Sequence, residues 1–216
     1  LEDANAALLA AENSFEADIS MHYHGEFLSF DLAGFHNKIN DYIFISPTVD
    51  ITSSGANIYR FSQTNATLNG GEAGIHFHPK SLPWLHVKGT YSSVVGKQGN
   101  GNYLPFIPAN KVRYEVRAEG KKLGFLHKPN IKISALTAFS QNDPSPYESV
   151  TDGYTLVNVS VYSEILVLNQ ALMFVLSVNN LFDTQYYDHL STLKPFNYYN
   201  QGRNFSLSLK VPFGIK

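Results

Sequence analysis

The feature that most constrains this chain is a period of two that its charges obey as strictly as its hydrocarbons. In the last strand-like run, Phe205, Leu207, Leu209, Val211 and Phe213 alternate with Asn204, Ser206, Ser208 and Lys210. That spacing gives a β-strand two unlike faces. In a second run, Val112, Tyr114, Val116 and Ala118 alternate with Arg113, Glu115, Arg117 and Glu119. Charges in mid-strand exclude their face from a dry core, because burying an unpaired ion costs several kcal/mol (roughly 3–5). One face therefore meets water, and the apolar row meets either a second protein layer or lipid.

The same pattern recurs along the chain. Residues 1–12 are the only helix-friendly stretch and read as a short lead-in. From Asn13 onward Phe15, Ala17, Ile19, Met21 and Tyr23 alternate with Glu16, Asp18, Ser20, His22 and His24. Extended segments follow at 27–45, with a bulge expected at Ala33-Gly34, and at 59–78, with a kink expected at Gly70-Gly71. Others lie at 85–95, 112–118, 131–139, 155–161, 171–179 and 204–213, about nine strands in all. Connections near 25, 79–82, 121–129 and 166–169 are short, whereas those at 46–57, 96–110, 142–151 and 180–201 are long. Alternating short and long connections predict an up-and-down antiparallel sheet with two unlike ends, as in transmembrane barrels. Many of these strands exceed the ~5–6 residues usual in soluble sheets and suit the ~9–11 that cross a bilayer.

Composition agrees with this reading. Charged residues are 16% of the chain and aromatics 13%, with 13 Tyr and 15 Phe. A soluble domain averages about 25% charged. The absence of cysteine excludes a disulfide framework and thiolate metal sites. No apolar run is long enough for a membrane-spanning helix, and a net charge of −2 gives no electrostatic case for nucleic acid. The fold class is therefore all-β, an antiparallel up-and-down transmembrane β-barrel segment. A soluble carbohydrate-binding β-sandwich, with the apolar rows turned inward, is the other solution.

Four motifs in order carry a resemblance: Phe35-His-Asn-Lys-Ile-Asn-Asp-Tyr-Ile, Gly70-Gly-Glu72, Ser177-Val-Asn-Asn-Leu-Phe-Asp-Thr-Gln-Tyr186, and Gly202-Arg-Asn-Phe before the terminal strand. Together they resemble the C-terminal part of a TonB-dependent outer-membrane receptor. Gln63-Thr-Asn-Ala66, Leu104-Pro-Phe-Ile-Pro-Ala-Asn110 and His189-Leu-Ser-Thr-Leu-Lys194 are similar to the zinc- and metal-uptake branch. The resemblance implies a barrel of about 22 strands around a plug, of which residues 13–216 are the C-terminal portion, with the plug outside this chain. It implies a receptor in the outer membrane of a Gram-negative bacterium that imports a scarce nutrient, a metal ion or metal complex. The implied partners are outer-membrane lipid, the receptor's own plug domain, the TonB complex and a small cargo. No cofactor is required beyond a transported zinc or iron complex. An iron-siderophore or haem receptor is the alternative within the family; a porin or adhesin barrel is the alternative outside it.

No nucleophile elbow, phosphate loop or paired-carboxylate motif is present, so an enzyme is not expected. Cargo-contact candidates lie on the long loop before the last strand: Tyr186, Tyr187, Asp188, His189, Tyr198 and Tyr199. Candidate metal ligands are His189 with Asp188, and His76, His78 and His86, since imidazoles two apart on a strand share a face. The resemblance implies that the last strand runs from outside to inside, and counting strand directions back from it then places these three, with His22, His24 and His127, at the periplasmic ends. Arg113, Glu115, Arg117 and Glu119 are expected to form a cross-strand ion-pair ladder, and Asp183 to pair with Arg203. Tyr42, Phe44, Tyr91, Tyr103, Phe106, Tyr198 and Tyr199 are expected in an interfacial aromatic girdle.

Overall fold

A computed structural model describes residues 8–167 and 170–212. They form one antiparallel sheet of β1 (Asn13–His24), β2 (Leu28–Ile51), β3 (Asn57–Phe77), β4 (Leu85–Gln98), β5 (Lys111–Glu119), β6 (Lys122–Leu123), β7 (Leu126–Ala138), β8 (Tyr154–Val167), β9 (Gln170–Asn179) and β10 (Asn204–Lys210). Each long strand pairs with the next in sequence, while β6 pairs only with β7. The tenth strand is that two-residue β6, which folds back through Gly124, whose φ of 58° requires glycine's freedom.

Register sorts the side chains into two faces that run unbroken across the sheet. One row passes through Val116, Ile133, Val159 and Val178 to Phe205. The row beside it passes through Arg117, Lys132, Ser160 and Ser177 to Ser206. Among the described residues the buried apolar side chains are few: Ala66, Leu104, Pro105 and Ala138. Phe205, Leu207 and Leu209 are each more than 60% exposed at 69%, 64% and 61%. A sandwich would cover such a row with a second layer, and the single sheet rules the sandwich out. The apolar face is built for lipid.

Several boundaries differ from the sequence expectation. The stretch 46–57 is not a loop: β2 and β3 stay paired to Pro47 and Tyr59, then meet again at Ile51 and Asn57 around a tight turn. Within it Pro47, Val49 and Ile51 alternate with Ser46, Thr48 and Asp50, and Val49 and Ile51 are exposed. The bulge lies at Asn40–Asp41 instead of Ala33-Gly34, where pairing is continuous. Asp41 takes φ 57°, and its displaced backbone is held by Asn65 and Gln63 side chains. Gly70 makes no kink either. A Cβ there would lie 2.4 Å from the Phe35 ring and 2.8 Å from the Ser93 carbonyl oxygen, so the glycine admits the ring over the neighbouring strand. The last strand ends at Lys210; Phe213 lies outside the described residues, as do 168–169 of the short connection expected at 166–169.

The charged face of β5 is less of a ladder than expected. Arg117 pairs along its own strand with Glu119 at 3.2 Å, while across strands Glu115 reaches Lys132 and Glu119 reaches His86, each at 3.8 Å. Nor do the aromatics share one girdle. Tyr91 lies on the apolar face beside Val112. Tyr42, Phe44 and Phe106 instead line a cleft of about 540 Å³ with Leu68 and Val94, whose positions belong to the polar face.

Candidate functional site

The long connections gather over the polar face at one end of the sheet, and the connection from β9 to β10 organises them. It begins with a turn that explains the Asn-Asn-Leu-Phe-Asp motif. Asn180, 3% exposed with φ 51°, accepts from the Thr184 backbone N–H at 2.9 Å and donates to the Thr184 carbonyl at 2.9 Å. Its own N–H donates to Asn158 Oδ1 on β8 at 2.8 Å. Asp183 closes the motif by accepting from the Arg203 N–H at 2.8 Å, with the Arg203 guanidinium 3.8 Å away, so the expected pair forms. A Cβ at position 202 would lie 2.7 Å from Asp183 Oδ1, which is why glycine precedes Arg203. The motif pins both ends of the loop.

Beyond that turn the loop folds inward. Asp188 Oδ2 accepts from Lys111 Nζ of β5 at 3.0 Å and from the Tyr154 hydroxyl of β8 at 2.8 Å. Its other oxygen accepts from the Leu190 N–H at 3.0 Å. Burial pushes the Asp188 carboxyl upward, but hydrogen bonds from Lys111, Tyr154 and Leu190 and the lysine charge outweigh it, holding the group below the ordinary aspartate value. Lys111 and Tyr154 start their strands on the polar face, so one carboxylate staples the loop across three strands.

His189 is sealed beneath the loop with its side chain 2% exposed. Lys194 donates to the Ser149 carbonyl and to Thr151 Oγ1. The Thr151 hydroxyl and His189 Nδ1 share a hydrogen bond of 2.8 Å, which leaves Nε2 as the ring's other polar atom. That nitrogen has no hydrogen-bond partner and faces Glu148 Oε1 at 3.9 Å, too far to bond. Glu148 is already committed to the Phe106 N–H and to Ser145. Burial lowers the His189 pKa, with Lys194 adding to it, and outweighs the carboxylates of Glu148 and Asp188. The ring is neutral. These bonds join the connections at 99–110, 139–153 and 180–203 into one polar cap.

Between the last two of these connections lies a cavity of about 390 Å³, lined by Thr151, Asp152, Tyr186, Tyr187, Lys194 and Tyr199 among others. Tyr187 and Tyr199 stack with ring centroids 4.5 Å apart, and Tyr154 and Tyr186 lie 4.4 Å apart. The structure thus brings Tyr186, Tyr187 and Tyr199 together at one opening. Asp188 and His189 sit beneath as anchors, while Tyr198 is 65% exposed outside the lining. His76, His78 and His86 are grouped at the opposite ends of the strands. Among the described residues no group of three or more His, Cys, Asp or Glu side chains is placed to hold a metal ion. Sequence reasoning missed Lys111, Glu148, Thr151, Tyr154 and Lys194. No local signal marks them, since Lys111 and Asp188 are 77 positions apart.

A single up-and-down sheet with a lipid-suited face, a polar face and a loop cap at one end defines a wall segment of an outer-membrane type β-barrel. Residues 3–181 match the family described as "TonB dependent receptor-like, beta-barrel". The chain belongs to that family. The sheet superposes on the copper transporter OprC with a TM-score of 0.78 at 18% identity, covering 94% of this chain and 31% of that one. It also superposes on the FrpB iron transporter from Neisseria meningitidis (TM-score 0.69, 16% identity, 93% of this chain and 31% of that one). A third similar structure is the siderophore receptor PirA from Acinetobacter baumannii (TM-score 0.64, 16% identity, 94% and 32%). The chain spans about a third of the length of these structures.

Proposed function

We propose that residues 13–216 form the C-terminal wall and part of the outer cargo site of a receptor in the outer membrane of a Gram-negative bacterium. The receptor imports a scarce nutrient, a metal complex, in company with a plug domain and the TonB complex, and performs no chemical step on it. Family membership supports the transport role, and the printed names of the similar structures (copper transporter, iron transporter, siderophore receptor) support a metal-related cargo.

The observation that carries the site is the tyrosine-lined cavity under the stapled loop. Flat phenol faces with hydroxyls suit the organic coat of a chelated metal better than a bare ion, which favours the siderophore-type reading of the family. The test is equilibrium binding of a panel of ferric chelates, haem and free Zn²⁺ to the receptor in detergent, with Tyr187→Ala/Tyr199→Ala beside wild type. Loss of one stacking partner costs about 1 kcal/mol and loss of both more, so binding of the cognate chelate weakens at least about fivefold. Unchanged affinity for every chelate overturns this site.

A further inference from the structure

At the other end of the sheet three imidazoles form a cluster that the cargo reading does not use. His76 lies at the end of β3, His78 is the first residue after that strand, and His86 is the second residue of β4. Their ring centroids are 5.2, 5.4 and 5.9 Å apart. His76 Nε2 lies 3.1 Å from His86 Nδ1, and His86 Nε2 lies 3.8 Å from Glu119 Oε2 of β5. His76 and His86 are on the polar face, because His76 is in register with Lys88 and His86 with Arg117. The loop cap lies at the far ends of these same strands, so the cluster stands where cargo would leave the barrel.

We infer that His76 and His86, completed by His78, form a second site for a borderline divalent metal ion of the Zn²⁺ class at the exit end of the receptor. Two nitrogens bound to one tetrahedral Zn²⁺ at about 2.0–2.1 Å stand about 3.3 Å apart. The observed 3.1 Å separation matches that spacing, and the two rings turn out of their mutual hydrogen bond to aim both lone pairs at one ion. Two neutral imidazoles can also share one hydrogen bond at this distance, so the pair remains stable when empty. His78 is the adjacent ring and joins by side-chain rotation; the three do not surround a common point as they stand. Glu119, already paired with Arg117, lies behind His86 with its Oε2 3.8 Å from Nε2, too far to hydrogen-bond, and offsets part of the charge of Lys88 and Arg117. Those two cations keep the affinity modest, which suits a site that must release its ion. A hairpin that begins and ends in histidine supplies the ligands from one short stretch, so binding requires no rearrangement of the sheet.

The test adds Co²⁺, a spectroscopic stand-in for Zn²⁺, to the receptor in detergent. Wild type is compared with His76→Gln/His86→Gln, with His78→Ala, and with the Tyr187→Ala/Tyr199→Ala variant, each checked for the heat-dependent gel shift of a folded barrel. Wild type is expected to develop the intense visible bands of low-coordinate Co²⁺. The double histidine variant should bind at least about tenfold more weakly, since even outer-partner losses at metal sites cost that much. His78→Ala loses the low-coordinate spectrum and decides the matter if the double variant does not fold. The tyrosine variant keeps the bands in full, so failure of this site and failure of the outer cargo site read out separately. Wild type that takes up no Co²⁺, or histidine variants that bind it like wild type, overturn the inference.

Discussion

Replacing Asp188 with alanine tests whether one carboxylate holds the cap in place. The substitution removes acceptors for Lys111 Nζ at 3.0 Å, the Tyr154 hydroxyl at 2.8 Å and the Leu190 N–H at 3.0 Å. A hydrogen bond to a charged group contributes about 1.5–3 kcal/mol, and less where water can replace it. Lys111 and Asp188 side chains are both 25% exposed, so the ion pair is discounted to the low end of its range. The sum is about 3 kcal/mol, or roughly a 150-fold rise in the loop-opening equilibrium. The assay is hydrogen–deuterium exchange of the amides between Tyr186 and Asn200, whose own pairing (Asn200 N–H to the Tyr186 carbonyl, 3.0 Å) depends on the staple. Protection there should collapse while β8 and β9 stay protected. Asp188 is held below its ordinary value of 3.8, so its contribution is complete above that pH and disappears only as pH falls through the depressed value. Wild type therefore keeps this contribution from pH 7 to 5. A change under threefold at these amides, or equal loss throughout the sheet, refutes the staple.

Two further outcomes follow from the same geometry. His189 is buried neutral with its pKa below the ordinary 6.5, so the unfolded loop binds more protons than the folded one once the pH drops below that value. Protection of residues 189–194, corrected for intrinsic exchange, should fall between pH 7.5 and 5 in wild type and stay flat in His189→Gln; a rise on acidification would show Glu148 capturing the imidazolium instead. Ile133, between Val116 and Val159 on the apolar face, should cost about 2–4 kcal/mol as arginine near the bilayer midplane. Ser134→Arg on the polar face should cost far less in urea titrations of vesicle-inserted receptor, and the reverse order would exchange the two faces.

Comparison of particular residues shows how far the chain could be read. Val159 and Ser160 announce their faces through spacing alone, because a strand turns alternate side chains to opposite sides whatever surrounds it. The strand at 46–51 does alternate, with Pro47, Val49 and Ile51 against Ser46, Thr48 and Asp50, but its proline and the Ser-Ser-Gly turn that follows read locally as a loop. Asp41, not the Ala33-Gly34 pair, takes the bulge. A register slip is decided by the partner strand, here through Asn65 and Gln63, and not by the flexibility of the slipping residues. The aromatic residues 186, 187 and 199 were legible as site candidates from a polar loop rich in Tyr. Their pairing across the cavity was not, since stacking requires the chain path between them.

The sequence by itself determined the all-β class, the two faces, the unlike ends and the family motifs, because each depends on neighbours within a few positions or on a period of two. Only the tertiary structure decided that the loop folds back over the polar face. Lys111, Tyr154 and Asp188 come from a strand start, another strand start and a loop, and nothing in their local chemistry distinguishes them from solvated residues. Sheet order puts the first two on one face at one end, and the turn built by Asn180 and Asp183 aims the loop at them. Hydrogen bonds across 34 and 77 positions are selected by that path, which exists only after the strands have paired.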